Sequence, residues 1–280
     1  MNVQQHSNRG STNWRTIVLV ALAALLSVAG VMGWNALKSS ATRERESLRG
    51  AISMNNLHMI GLAVSQQEQK MQEEKLKGGS LAAGRLSKGL TKEQVQEAQM
   101  IMGLTAPPAI CNPDGKPLLS WRVAILPYIE QEALYERFHL DEPWDSPHNS
   151  QLIAEIPEVL CSPGRPNDGK TLYLECVGEE TPFPSHSAPA VNRLRLGGNV
   201  VRIVEVDEED AVPWTQPADL ILKPGEPVSG VGKLRQGKFL AAMFDGSVQS
   251  VPADAPPLAI RQLFTREGGV IPDPISQLGE

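Results

Sequence analysis

The spacing of apolar positions changes along this chain, and each change predicts a different element. From Thr16 to Gly33 the run TIVLVALAALLSVAGVMG holds no Asp, Glu, Lys or Arg and is bracketed by Trp14 and Trp34. A helix of about 20 residues spans the roughly 30 Å of a bilayer's hydrocarbon core. Indole rings at both ends suit the two membrane interfaces. Residues 16–34 are therefore expected to form a single transmembrane anchor behind a short tail, residues 1–15. Ser27-Val28-Ala29 resembles a signal-peptide cleavage site, but the apolar run continues past it to Trp34, which favours a retained anchor.

Beyond the anchor, Leu48, Ile52, Leu57, Ile60 and Val64 recur at helical spacing, a stripe suited to packing on a sheet. The helix formers of QQEQKMQEEKLK prolong the pattern to Gly78-Gly79. An amphipathic stalk helix is predicted over residues 35–77, with Ser39-Ser40 or Gly50 as places where it could break from the anchor. The Gly- and Ser-rich stretch 78–90 reads as a flexible connector, and residues 91–280 as an α+β domain. Thr91 opens a short helix with Gln94 in capping-box position, ending before Pro107-Pro108. Asn112-Pro113-Asp114-Gly115 has the composition of a turn.

Leu118 to Cys161 is the densest stretch of signals. Ser120 is a helix N-cap in this reading, and Pro127 must kink or restart the helix. Tyr128, Ile129, Leu134, Tyr135 and Phe138 then supply a buried face. Asp145-Ser146-Pro147 starts a further helix, with Asp145 as its cap and Pro147 in the first turn. Trp121, Pro127, Tyr128, Trp144 and Asp145 mark this block as a fold motif. Strand-like runs follow at 171–177, 199–206, 239–244 and 247–251. The last two flank Asp245-Gly246, a pair favoured in type I′ hairpins. Leu258 to Phe264 reads as a closing helix stopped by Gly268-Gly269. The fold class expected from these elements is α+β: a long N-terminal helix, transmembrane and then amphipathic, packed on an antiparallel sheet with additional short helices.

Composition changes this picture little. A net charge of −6 argues against a nucleic-acid partner, which asks for a basic face. Cys111, Cys161 and Cys176 have no CxxC spacing, which disfavours a thiolate zinc site. Outside the cytoplasm Cys161 and Cys176 could pair; the alternative is three buried thiols. Arg9 and Arg15 precede the anchor, whereas Lys38, Arg43, Arg45 and Arg49 follow it. That balance slightly favours a cytoplasmic C-terminus, although long domains are translocated regardless of flanking charge.

No reaction chemistry stands out. His139, Asp141, Glu142, Asp145 and His148 form the densest set of potential metal ligands. Several would have to converge on one point, and Pro143 and Trp144 interrupt their spacing, so no metal site is expected there. Ser185-His186 lacks a Gly-x-Ser-x-Gly elbow and an evident acidic partner. Gly230-Val231-Gly232-Lys233 fails the phosphate-loop spacing, with Pro227 where a Gly is needed and Leu234 in place of Ser or Thr. The acidic run 206–210 reads as a solvated turn. No catalytic residue and no cofactor are expected. A structural or interaction role ranks first, through self-association or contact with envelope proteins. An extracytoplasmic module for a carbohydrate, peptide or cation ranks second.

Four stretches together resemble a family of prepilin-like, membrane-anchored proteins of unknown function abundant in planctomycete-type bacteria. They are residues 55–63 (NNLHMIGLA), residues 120–149 (SWRVAILPYIEQEALYERFHLDEPWDSPHN), Ala211-Val212-Pro213-Trp214-Thr215, and Phe244-Asp245-Gly246-Ser247-Val248. The resemblance implies a pilin-like domain displayed outside the cytoplasmic membrane, with no established activity. Two departures stand out. Asn13-Trp14-Arg15-Thr16 occupies the place of the usual prepilin processing signature. Arg235 stands where family members often carry a His ahead of the Asp245-Gly246 pair, so no role of that His carries over.

Overall fold

The computed structural model describes the backbone of residues 14–78, 105–186, 196 and 199–271, and their side chains except at 14–31, 33 and 35–37. Most of the predicted tail, most of the connector and residues 91–104 of the helix predicted to open at Thr91 lie outside the described residues. The chain divides into two units, Met1–Leu48 and Arg49–Glu280. One helix, α1, runs over Trp14–Gly78 without a break at Ser39-Ser40 or Gly50. In the first unit Thr42 Oγ1 donates to the Lys38 carbonyl at 2.9 Å, and Lys38 Nζ lies 5.3 Å from the Trp34 ring centroid. Among the described residues no helix is long and apolar enough to cross a membrane. The apolar side chains on which the anchor expectation rests, 16–31, lie outside them.

In the second unit α1 packs on a sheet because it presents one continuous buried line. Ser53, Asn56, Leu57, Ile60, Ala63, Val64 and Glu68 are buried, at the three- and four-residue steps of one helix face. Leu48 and Ile52, expected on that face, are 64% and 45% exposed. The five-residue step from Ile52 to Leu57 places them about 140° apart around the helix. Ser53 therefore occupies the sheet-facing position instead.

The main sheet has five strands, which are β4 (Tyr173–Val177), β5 (Val201–Glu205), β7 (Leu220–Ile221), β8 (Lys238–Met243) and β9 (Val248–Pro252). Their order is β7-β4-β5-β8-β9, antiparallel throughout except for the parallel pair β4–β7. Strand alternation gives the sheet two apolar faces. Tyr173, Ile203, Leu240 and Ala242 join Leu57, Ile60 and Val64 of α1 in one core. Leu174, Cys176, Val204, Phe239 and Ala241 form the other, covered by Ile260, Leu263 and Phe264. The register shifts between Val201 and Ile203. Such a bulge turns consecutive residues to one side, so Arg202 and Ile203 both reach α1-facing groups.

The closing helix, α4 in chain order, is Pro257–Gln262, ending well before Gly268. A small hairpin, β1 (Ala109–Cys111) with β2 (Pro117–Ser120), is joined by the expected turn, in which Gly115 N–H donates to the Asn112 carbonyl at 2.9 Å. β3 (Lys170–Thr171) pairs with β6 (Val212–Pro213).

The Leu118–Cys161 block lies over the first core. Ser120 caps α2 (Trp121–Ala124), accepting the Arg122 N–H, and Pro127 sits in the 3₁₀ turn Leu126–Tyr128 that follows. Helix α3 (Glu132–Tyr135) turns Leu134 inward. Trp121 is buried, Tyr128 and Trp144 are half-buried, and Trp144 N–H donates to the Leu118 carbonyl at 2.9 Å. Trp214 is fully buried, with its Nε1 on the Ile153 carbonyl and its ring edge-on to Phe138 at 5.7 Å.

Two local expectations change. Asp145 is exposed and caps nothing; Ser146 Oγ accepts the Asn149 N–H at 3.1 Å where the next 3₁₀ helix, Asn149–Glu155, begins. In the β8–β9 connection only Gly246 of the Asp245-Gly246 pair takes a positive φ, 90°. A type I′ turn needs both. Asp245 Oδ1 accepts the Ser247 N–H at 2.9 Å, and the loop is longer than two residues, with Ala242 opposite Val248.

Candidate functional site

The α1 helix borders an open groove of about 630 Å³ in the second unit. Ile52 and Met59 form one wall, Ile129 and Val159 the other, and Asn56 and Ser162 lie at its floor. Ile52 and Met59 are each 45% exposed, so apolar surface faces solvent here. Asn56 Nδ2 donates to the Cys161 carbonyl at 3.1 Å, fastening the loop that carries Ser162 to the helix.

Beneath that floor lies a buried clasp. Glu205 on β5 accepts from Ser53 Oγ and Ser162 Oγ, each at 2.6 Å from Oε1. Arg235 grips the same carboxylate with two nitrogens, Nη2 to Oε1 at 2.7 Å and Nε to Oε2 at 2.9 Å. Its Nη2 also reaches Ser53 Oγ at 2.8 Å, and the Tyr173 hydroxyl lies 3.0 Å from Ser53 Oγ. Burial, with Glu205 beside it, holds the Tyr173 phenol well above its ordinary range. The forked Arg–carboxylate geometry joins the 235 loop, β5, α1 and the 162 loop at one point. Chemically this is a fastening: a neutralised carboxylate, a phenol that keeps its proton, and two serines donating their hydrogens away.

The cluster of potential ligands at 139–148 is brought together, but as a turn. Asn149, fully buried, donates from Nδ2 to the His139 carbonyl at 2.9 Å and to the Glu142 and Pro143 carbonyls at 3.2 Å. Its Oδ1 accepts the His139 N–H at 3.0 Å. The His139 and His148 rings stack at 3.6 Å with an interplanar angle of 2°. A metal bound by imidazole lies near the ring plane, and one ion cannot lie in two parallel stacked planes. His139 Nδ1 is 2.9 Å from Glu142 Oε1, and that contact holds the Glu142 carboxyl below its usual range. His148 Nε2 donates to the Arg137 carbonyl at 2.7 Å. Asp141 and Asp145 are exposed beside them. Among the described residues no three His, Cys, Asp or Glu side chains converge as metal donors.

His186 does have an acidic partner: its Nε2 lies 3.1 Å from Asp219 Oδ2. Asp219 Oδ1 is held by Arg122 Nη2 at 2.7 Å and Trp121 Nε1 at 3.1 Å. The nearby Cys111 thiol is pushed up by burial and points its hydrogen at the His186 backbone carbonyl, 3.8 Å away, rather than at a base. All three cysteines are free. Cys161 packs at the edge of the α1-side core and Cys176 in the core on the opposite face of the sheet, which is why they do not pair. Burial drives the Cys176 thiol up to about 12.

Sequence reading missed Asn149, Asp219, Glu205 and Glu68. A signal existed for Glu205: it is an acidic residue inside the otherwise apolar strand VRIVEV, as Glu175 is inside YLECV. A charge in a run of buried strand positions requires a buried partner.

The fold and site define an α+β domain whose long N-terminal helix packs on an antiparallel sheet, fastened to it by buried ion pairs. Residues 42–201 match the family described as "Protein of unknown function (DUF1559)", and the chain belongs to that family. No curated protein and no solved structure matches it.

Proposed function

We propose that this chain is a membrane-anchored, pilin-like structural and interaction protein of the cell envelope, its C-terminal domain extracytoplasmic, whose copies associate through an exposed face of α1. The observation that supports this reading is a line of partly exposed apolar side chains on α1. Ile52, Met59 and Leu62 are 45%, 45% and 47% exposed. With the exposed Asn55 they recur at steps of 3, 4 and 3 residues, the spacing of a coiled-coil seam, in which a single Asn sets register. Exposed apolar surface of this kind marks contact sites. The charge-free run 16–33 supports the anchor.

The reading includes no catalytic step. Thiols held up by burial, and a histidine whose acidic partner is already neutralised by Arg122, support that view. A photo-crosslinking residue at position 59, introduced in cells, tests the reading. It predicts a crosslinked product of twice the chain's mass in the membrane fraction. Absence of that product, with position 116 giving the same result as position 59, overturns it. A second reading, a module binding a carbohydrate or peptide, is favoured by the groove itself. It predicts a rise in melting temperature with such a ligand, abolished by Asn56→Ala.

A further inference from the structure

Polar side chains border the apolar groove beside α1. Asn55 on the α1 side and Glu158 on the opposite side are exposed, and Gln131 is half-buried. Among the described residues none of the three makes a side-chain hydrogen bond or ion pair. The charged residues in the lining are Glu158 and Arg165. Arg165 is already matched twice, by Asp168 at 2.7 Å and Glu208 at 2.8 Å, with its side chain 8% exposed. Glu158 therefore carries the open charge of the lining, and that charge is negative. The backbone between Ile129 and Gln131 is strained as well: Glu130 takes a φ of 60°, uncommon for a residue with a Cβ. Strain of that kind gathers at ligand clamps.

An occupant of this groove must cover apolar walls, pair two amides and meet one carboxylate. An extended peptide does all three. Its alternate side chains point to opposite faces, so one row enters the groove while the other stays in water. Its backbone N–H and C=O groups match the amides of Asn55 and Gln131, each of which both donates and accepts. A helix satisfies those backbone groups internally and leaves the two amides idle. A sugar sets hydroxyls against walls of Ile, Met and Val that cannot bond them, which is unfavourable. We propose that the groove binds an extended apolar segment of a partner protein that carries a Lys or Arg, with Glu158 as the residue that selects the cation. The inference rests on the groove reading and does not need self-association; Ile52, Asn55 and Met59 serve the peptide or a second copy, one at a time.

Fluorescence anisotropy of labelled probes, titrated with the full chain in detergent against a detergent-only blank, tests it. The probes are a Val- and Leu-rich octapeptide with a central Lys, the same peptide with Glu in place of that Lys, a Ser-substituted peptide that keeps the Lys, and an oligomer of N-acetylglucosamine. The Lys peptide is expected to bind about fivefold more tightly than its Glu counterpart, the size of an exposed ion pair. It is expected to bind more than tenfold more tightly than the Ser peptide, which has no apolar row to bury. Glu158→Lys, at an exposed position, is expected to reverse the first preference and keep the second. Equal binding of the Lys and Glu peptides overturns the proposal, as does a Lys preference retained in Glu158→Lys. Binding of the sugar without any peptide overturns the peptide assignment and leaves a ligand groove standing. Binding of no probe removes the groove reading together with the proposal.

Discussion

Arg235 shows how much one side chain decides in this fold. Its guanidinium neutralises a carboxylate whose side chain is fully buried, and it reaches α1 through Ser53. Removing one partner of a buried pair leaves the other charged and uncompensated, at a cost of about 3–5 kcal/mol. Arg235→Ala is therefore expected to lower stability by about that amount in urea unfolding. Adding Glu205→Gln to it should recover part of the loss, because the amide needs no counter-charge; a double-mutant cycle measures the coupling. Little of this residue scale was legible in the sequence. The charged positions in apolar strands were visible, but their partners were not: Arg202 and Glu68 are 134 residues apart. Topology, which no local spacing encodes, brings them together. The potential ligand set at 139–148 shows the same limit of local spacing. Sequence proximity put five donors in one turn, and Asn149 then set their directions.

At the scale of elements the sequence was more informative. Strands β4, β5, β8 and β9 were legible as strand-like runs of five or six residues, and α1 because its core positions keep helical spacing over many turns, whereas β1, β2, β3, β6 and β7, two to four residues long, were not. Boundaries and faces were less so. A stripe drawn through apolar residues alone included Ile52 and passed over Ser53 and Glu68, which are buried because polar partners await them. Polar core positions are invisible to hydrophobic periodicity. The face that does pack should be costly to weaken. Ile60 is fully buried between α1 and the sheet, and Ile60→Ala is expected to cost about 2–5 kcal/mol. The same change at Ile52, 45% exposed, should stay within about 0.5 kcal/mol. Thermal or urea unfolding of the two variants compares the faces directly. Equal effects would mean that the assignment of faces is wrong.

At the scale of the whole molecule, an apolar N-terminal run precedes a domain whose helix α1 carries a partly exposed apolar line. The family match over residues 42–201 covers α1 from residue 42, the Trp121–Trp144 block and β4, and ends at the first residue of β5. Ile52, Asn55, Met59 and Leu62 lie inside that match, whereas Arg202, Glu205 and Arg235, which fasten α1 to the sheet, lie beyond it. We propose that a second copy packs against that partly exposed line. Sedimentation velocity of the full chain in detergent, across a range of concentrations, tests this most directly. The account predicts a concentration-dependent dimer or larger species, converted to monomer by the pair Met59→Glu and Leu62→Glu with the melting temperature unchanged. A wild-type chain that stays monomeric at every concentration, or a variant that associates as the wild type does, would contradict it.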